Sequence, residues 1–273
     1  MKKLKRRRRR GRGCLSVLVT FILVYYGTYF LFRGSRTAAP QLIAHRGGPA
    51  QAPENTLAAF RKAIDVGADW LEMDVQVTGD GELIVFHDET VERTTNGTGR
   101  VGELTLEQIR ALDAGGGERV PTFAEVIALA KEAGVSIMPE AKSPHLYPGI
   151  EEKMVQAIVE AGYLGRTVIQ SFNPKTLETF KSINPDVQVC PLYGLWKLRL
   201  PAVPPGRAEI VCPMAEMVVL NPWMIRAAHA RGQQVYVWFG AIEHPLTLRL
   251  ILAFGADGLM VDDPVAMAKV LGR

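Results

Sequence analysis

The sequence predicts an α/β protein: a (β/α)8 TIM barrel with a small hairpin insertion after its second strand, preceded by one N-terminal transmembrane helix. Strand-like segments alternate with amphipathic helical segments from residue 42 to residue 262, and several helical segments end at glycine. Eight such repeats in about 230 residues match the size of a closed barrel. An open doubly wound sheet fits the same alternation, but no glycine-rich dinucleotide loop supports it.

The N-terminal segment is basic and then apolar. Residues 1–40 contain eleven Lys or Arg residues and no acidic residue, and nine of these cations precede an uncharged stretch of 19 residues from Cys14 to Phe32. As a helix this stretch would span about 28 Å, close to the roughly 30 Å apolar thickness of a bilayer. The charge asymmetry predicts a single-pass cell-membrane protein with a cytoplasmic N-terminus and an extracytoplasmic body. A signal peptide cleaved near Thr37–Ala39 is the alternative.

These features divide the chain into a basic cytoplasmic tail (1–13), a transmembrane anchor (14–32), a linker (33–40) and a barrel domain (41–273). Removing the tail's eleven cations from the total of 32 leaves 21 basic and 28 acidic residues, so the body carries a net charge of −7. An acidic body argues against nucleic-acid binding. Three cysteines exclude a disulfide scaffold, and one disulfide between Cys190 and Cys212 is left open.

The secondary structure follows from these segments in order. The eight predicted barrel strands are Leu42–Arg46, Trp70–Val75, Ser136–Lys142, Thr167–Phe172, Val187–Tyr193, Met217–Leu220, Gln234–Phe239 and Gly258–Asp262. The predicted helices are Pro53–Val66, Thr122–Ala133, Ile150–Ala161, Pro174–Ile183, Pro222–Ala230 and Pro245–Phe254. Between the second and third strands, Glu82–His87 follows too short a link for a crossover helix, which predicts an antiparallel hairpin that returns His87 beside Asp74. The proline-rich stretch Leu195–Pro213 predicts an irregular connection or a membrane-facing mouth.

Carboxylates cluster near the ends of predicted strands, where barrel enzymes place their catalytic groups. Glu72 and Asp74 lie on one face of the second strand because side chains alternate with a period of two, and Glu140 ends the third. Three converging carboxylates repel one another unless a cation joins them. Since all their ligand atoms are oxygens, the sequence predicts one divalent cation, Mg²⁺ or Ca²⁺.

Basic side chains stand next to this acidic group. Arg46 follows the first predicted strand and Lys142 lies two residues after Glu140, which predicts binding of an anion such as phosphate. His45 and His87 titrate near neutral pH and can act as an acid and base pair. Together these residues predict metal-assisted chemistry on a phosphate ester.

These candidate residues belong to a larger set of short motifs along the chain. The motifs are His45–Gly47, Pro53–Phe60, Gly67–Val75, Asp80–Asp88, Arg93–Gly99, Pro121–Glu125, Glu140–Lys142, Gln170–Phe172 and Ala256–Pro264. In these motifs the sequence resembles the glycerophosphodiester phosphodiesterase family. The resemblance covers residues 42–273 and is most specific in the first hundred of them.

The resemblance implies a metal-dependent barrel hydrolase that converts glycerophosphodiesters to glycerol 3-phosphate and an alcohol. With the predicted N-terminal helix, this hydrolase would be anchored in the membrane. The resemblance implies that the catalytic histidines are His45 and His87, that Arg46, Lys142 and Trp238 bind substrate, and that Glu72, Asp74 and Glu140 hold the metal. It also implies attack by a glycerol hydroxyl to form a cyclic phosphate that water then opens. A lysophospholipase D that acts on lysophospholipids and a non-catalytic anchored binding module are the alternatives. The leaving alcohol, the choice of ion and the oligomeric state are left open.

Overall fold

The computed structural model describes Ser16 and residues 19–32, 38–195 and 208–273. The chain divides into two compact units, Met1–Ser35 and Arg36–Arg273. In the first unit, residues 19–32 form a helix. The predicted basic tail, 1–13, and residues 33–37 of the predicted linker lie outside the described residues.

The predicted transmembrane anchor over residues 14–32 is wrong. In the part of the chain that the structure describes, no helix combines the length and the apolar character that crossing a membrane requires. The predicted single-pass membrane localisation is overturned with it.

The second unit confirms the predicted barrel. Its strands are β1 (Gln41–Ala44), β2 (Trp70–Val77), β3 (Leu83–Val85), β4 (Ser136–Ala141), β5 (Val168–Ser171), β6 (Gln188–Tyr193), β7 (Ile210–Pro213), β8 (Gln234–Trp238) and β9 (Gly258–Val261). All except β3 are parallel, in the order β1, β9, β8, β7, β6, β5, β4, β2. The ring closes because β1 pairs with both β9 and β2, which excludes the open sheet.

Helices follow most of the strands, at positions close to those predicted. They are α1 (Leu57–Asp65), α2 (Leu106–Arg110), α3 (Phe123–Ala133), α4 (Ile150–Glu160), α5 (Pro174–Ile183), α6 (Ala215–Leu220), α7 (Trp223–His229), α8 (Pro245–Ala253) and α9 (Pro264–Leu271). Side-chain caps start several of them: Thr56 accepts the Ala59 N–H before α1, and Thr122 accepts the Glu125 N–H before α3. These caps fix where the chain turns from the barrel mouth into a helix.

The predicted strand at Met217–Leu220 is wrong, because these residues belong to helix α6. The strand at this position in the barrel is β7, which lies inside the stretch predicted to be irregular. All four β7 residues are buried, and the strand pairs with both β6 and β8. A short apolar run does not distinguish a buried strand from a helix by periodicity alone. Residues 196–207 of the proline-rich stretch lie outside the described residues.

The predicted hairpin is confirmed, since β3 pairs antiparallel with β2. Buried Gln76 ties the hairpin to the barrel: its side-chain amide donates to the Phe86 carbonyl at 3.0 Å and the Asp88 carbonyl at 2.5 Å. Its oxygen accepts from the Tyr147 hydroxyl at 2.9 Å. The carbonyls on both sides of His87 are therefore bound to one side chain of β2.

Cys190 on β6 and Cys212 on β7 form a disulfide, with 6.0 Å between their Cα atoms. Both cysteines belong to the buried apolar cluster that also includes Ile43 and Met138. The disulfide that the sequence left open therefore joins neighbouring strands inside the barrel.

We predict that Gln76→Leu destabilises the chain by about 3 kcal/mol, because it leaves two carbonyls and the Tyr147 hydroxyl without their buried partner. Urea unfolding of the full chain measures this loss. The matched control is Gln156→Leu on the exposed face of α4, which we expect to change stability by less than about 0.5 kcal/mol. A loss below about 1 kcal/mol for Gln76→Leu would show that the hairpin does not depend on this side chain.

Candidate active site

The carboxyl ends of the barrel strands open into a cavity of about 520 Å³. All the site residues predicted from the sequence line it: His45, Arg46, Glu72, Asp74, His87, Glu140, Lys142 and Trp238. They come from β2, β4 and β8 and from the segments that follow β1, β3 and β4. The parallel closure of the barrel thus brings together residues that lie as far as 193 positions apart in the chain.

A sharp turn after β1 presents His45 and Arg46. Arg46 has a left-handed backbone conformation with φ +50°, and its N–H donates to Glu72 Oε2 at 2.8 Å. Gly47 follows with φ +80°, and a Cβ there would lie 2.8 Å from the Ala59 Cβ. A side chain at residue 47 would therefore both strain the backbone and collide with α1, which explains the glycine of this motif.

Three buried carboxylates meet at the base of the cavity. One oxygen from each of Glu72, Asp74 and Glu140 lies within 4.8 Å of the others. Burial together with the charge of Asp74 raises the pKa of Glu72 to about 7. Burial likewise raises the pKa of Glu140 to about 7. Burial opposes ionisation of Asp74 too, but the Lys142 and Arg46 cations outweigh it and lower the pKa of Asp74 to about 2.

This acidic group fits a hard divalent cation, because its three members offer carboxylate oxygens as ligand atoms. Gln170 on β5 donates its amide to Glu72 Oε1 at 2.6 Å, and its own Oε1 is buried without a hydrogen-bond partner among the described residues. A buried unpaired carbonyl oxygen beside carboxylates is a group that a cation or a cation-bound water satisfies. A proline within a strand cannot donate a backbone hydrogen bond, but β4 continues through Pro139, which lies opposite Met73, and Glu140 stays in the strand.

The two cations flank Asp74. Arg46 Nε lies 3.3 Å from one oxygen of Asp74, and Lys142 Nζ lies 3.4 Å from the other. Lys142 also contacts Glu140 Oε2 at 3.3 Å, and Arg46 donates to Glu54 Oε1 at 3.0 Å. These contacts hold both positive charges at the cavity wall, where an anionic phosphate would meet them.

Each histidine is oriented by a carboxylate. His45 Nδ1 lies 2.5 Å from Asp262 Oδ1, and His87 Nδ1 lies 2.6 Å from Asp88 Oδ1. Since a carboxylate only accepts hydrogen bonds, each Nδ1 carries a proton and each Nε2 is left for the cavity. Burial lowers the pKa of His45, but the Glu72 charge and the Asp262 hydrogen bond raise it further, so the net shift is upward. Burial lowers the pKa of His87, and the upward effect of Asp74 does not compensate.

Trp238 closes the opposite, apolar side of the cavity. Its indole N–H donates to the Tyr193 carbonyl at 3.1 Å, and its ring meets Phe172 edge to face at 5.6 Å between centroids. Leu192 and Phe239 extend the same wall. Because the indole N–H is already bonded to the backbone, Trp238 offers the cavity its ring surface and not a donor.

Several residues that contact the predicted site residues were not themselves identified from the sequence. Glu54 and Asn55 precede α1, and Asn55 donates to Asp74 Oδ2 at 2.9 Å. Gln170 supports Glu72, while Asp262 after β9 holds His45. Asp262 and Gln170 could have been identified because they lie at or near the ends of predicted barrel strands. Glu54 and Asn55 had no such signal, because they resemble ordinary residues near the start of a helix.

Comparison with known proteins shows which family this chain is similar to. The profile of the glycerophosphoryl diester phosphodiesterase family matches residues 45–266. The glycerophosphodiester phosphodiesterase of Caldanaerobacter subterraneus is 37% identical over an aligned length of 245 residues, and the alignment covers 85% of this chain and 98% of that protein.

Solved structures of phosphodiesterases are also similar to this chain. The glycerophosphodiester phosphodiesterase of Agrobacterium tumefaciens aligns with a TM-score of 0.74 and 29% identity, over 84% of this chain and 99% of that one. An Oleispira antarctica phosphodiesterase in complex with the product sn-glycerol-3-phosphate aligns with a TM-score of 0.73 and 27% identity, over 86% and 98% of the two chains. The chain therefore belongs to the glycerophosphoryl diester phosphodiesterase family.

Proposed function

We propose that this protein hydrolyses glycerophosphodiesters to glycerol 3-phosphate and an alcohol with the help of one divalent cation, Mg²⁺ or Ca²⁺. The observation that carries the proposal is that three carboxylates, two cations and two histidines line one cavity in a chain of this family. The product bound to the Oleispira antarctica phosphodiesterase supports glycerol phosphate as the product here. We assign this activity to the barrel domain, residues 41–273.

We assign the cation to Glu72, Asp74 and Glu140, whose oxygens are close enough to share one ion. When bound, the ion supplies positive charge that stabilises the developing charge on the phosphoryl oxygens. Arg46 and Lys142 contribute to the same stabilisation from the chain itself, because their charges are held at the cavity wall by Asp74. The phosphate then replaces part of the contact between these cations and the carboxylates.

The two histidines move protons. In the first step, one Nε2 accepts the proton of the attacking glycerol hydroxyl, and the other histidine protonates the oxygen of the leaving alcohol. This step gives a cyclic phosphate, which water opens with the histidine roles exchanged. Asp262 and Asp88 keep both imidazoles in the tautomer that this exchange requires. Trp238 provides the apolar surface against which the carbon skeleton of the substrate packs.

The alternatives have less support. Action on lysophospholipids would be favoured by a membrane anchor and by the apolar loop Leu192–Val203. The structure overturns the anchor, and residues 196–203 of the loop lie outside the described residues. A non-catalytic binding module would have no need for two histidines that are each oriented by a carboxylate. Membership of a hydrolase family favours the enzyme as well.

We predict that His45→Gln and His87→Gln each lower kcat by about 10²- to 10⁴-fold, because each removes a proton-transfer group. The measurement is release of glycerol phosphate from glycerophosphocholine and glycerophosphoethanolamine by the full chain with added Mg²⁺ or Ca²⁺. His145→Asn, on an exposed loop, is the matched control and should retain activity within about twofold. Unchanged rates in both histidine variants would contradict the proposed roles.

We predict that cation binding weakens as pH falls. The pKa values of Glu72 and Glu140 lie near 7 without a cation, so these groups carry protons below pH 7 that binding must release. The apparent affinity for Mg²⁺ or Ca²⁺ should therefore be at least about tenfold lower at pH 6 than at pH 8.

Titration calorimetry with each ion separately measures this affinity and identifies the preferred ion. Glu72→Gln should weaken binding by at least about tenfold at pH 8, because it removes one anionic ligand. Glu132→Gln, on the exposed side of α3, is the control and should bind as the unmodified chain does. Equal affinities at the two pH values, or tight binding by Glu72→Gln, would refute the assigned site.

A further inference from the structure

Arg93 joins two carboxylates at the rim of the cavity. It lies on the loop after β3, and its Nη1 and Nη2 donate to the two oxygens of Glu54 at 3.0 and 2.7 Å. The same guanidinium donates through Nη2 to Asp88 Oδ1 at 3.1 Å and through Nε to Asp88 Oδ2. One planar fork thus binds both carboxylates at once, a geometry that arginine supplies and lysine does not.

Each of these carboxylates holds a residue of the active site. Glu54 Oε1 also accepts from Arg46 Nη1 at 3.0 Å, and Asp88 Oδ1 accepts from His87 Nδ1 at 2.6 Å. Arg46 lies in the turn after β1, whereas His87 lies on the hairpin insertion. A continuous series of hydrogen bonds therefore runs from Arg46, the proposed phosphate-binding cation, to His87, a proposed proton-transfer group. Arg93 lies at the centre of this series.

Arg93 itself does not line the cavity. Its side chain is 49% exposed, whereas that of Glu54 is 15% exposed. Any effect of Arg93 on the reaction must therefore pass through Glu54 and Asp88. Without Arg93, Glu54 would be paired with Arg46 alone and would compete more strongly with phosphate for it, while Asp88 would lose the partner that fixes its direction toward His87.

We propose that Arg93 is a positioning residue that sets the placement of Arg46 relative to His87 through Glu54 and Asp88. This inference rests on the proposed phosphodiesterase function. Bridging from outside the cavity leaves the reacting groups free to contact substrate while their spacing is held. An error of about 1 Å in such spacing is sufficient to lower a rate about 100-fold.

The test is steady-state kinetics of the full chain on glycerophosphocholine with saturating divalent cation. Arg93→Gln should lower kcat by about 10- to 100-fold, while calorimetric cation affinity and the melting temperature stay close to those of the unmodified chain. Arg93→Lys should restore less than about one tenth of the lost rate, because one ammonium group does not reproduce two bidentate contacts. Arg100→Gln is the control: Arg100 lies on the same loop, pairs only weakly with Glu89 at 3.7 Å and should leave kcat unchanged within about twofold.

A mutant cycle separates positioning from a general effect. If Arg93 acts through Glu54 and Asp88, then Arg93→Gln should slow a variant that already carries Glu54→Gln and Asp88→Asn by no more than about twofold. The inference would be overturned if the rate losses of the combined variants multiplied. It would also be overturned if Arg93→Lys restored the full rate, or if Arg93→Gln kept more than half the rate of the unmodified chain. Absence of activity in the unmodified chain would instead refute the proposed function, and the two failures are therefore distinguishable.

Discussion

The mutual repulsion of three buried carboxylates is the constraint on which the rest of the site depends. At separations below 4.8 Å, each pair of charges costs about 3 to 4 kcal/mol at the effective dielectric constant typical of protein sites. Arg46 and Lys142 offset part of this cost, but both are placed around Asp74, whose pKa they lower. Glu72 and Glu140 are the carboxylates left with raised pKa values. The remaining charge is what a divalent cation would neutralise.

The local backbone conforms to this centre. Arg46 and Asn55 both adopt positive φ angles, and both contact Asp74, one through a guanidinium and one through an amide. Such conformations cost free energy in non-glycine residues and persist only where surrounding contacts hold them. Here the contacts are the Arg46 N–H on Glu72 and the close packing of Gly47 against α1. Strain near the carboxylates is thus compensated by the bonds that they accept.

The cavity has two chemically different sides. On one side lie the carboxylates and cations that suit a phosphate and an ion, and on the other Phe172, Leu192, Trp238 and Phe239 form an apolar wall. A phosphodiester with a carbon skeleton matches both sides at once. The hairpin supplies the second histidine to this cavity. Gln76 binds the backbone carbonyls beside this histidine, and Arg93 binds Asp88, which contacts its ring.

The sequence by itself determined the barrel and eight of the residues that line the cavity, because strand periodicity and short charged motifs are local properties of the chain. It did not locate β7, since four apolar residues there and the β-branched run in α6 look alike until pairing with β6 and β8 selects the strand. It also did not identify the hydrogen bonds of Asp262, Gln170 and Arg93. These bonds join residues up to 217 positions apart, so they form only when the barrel folds.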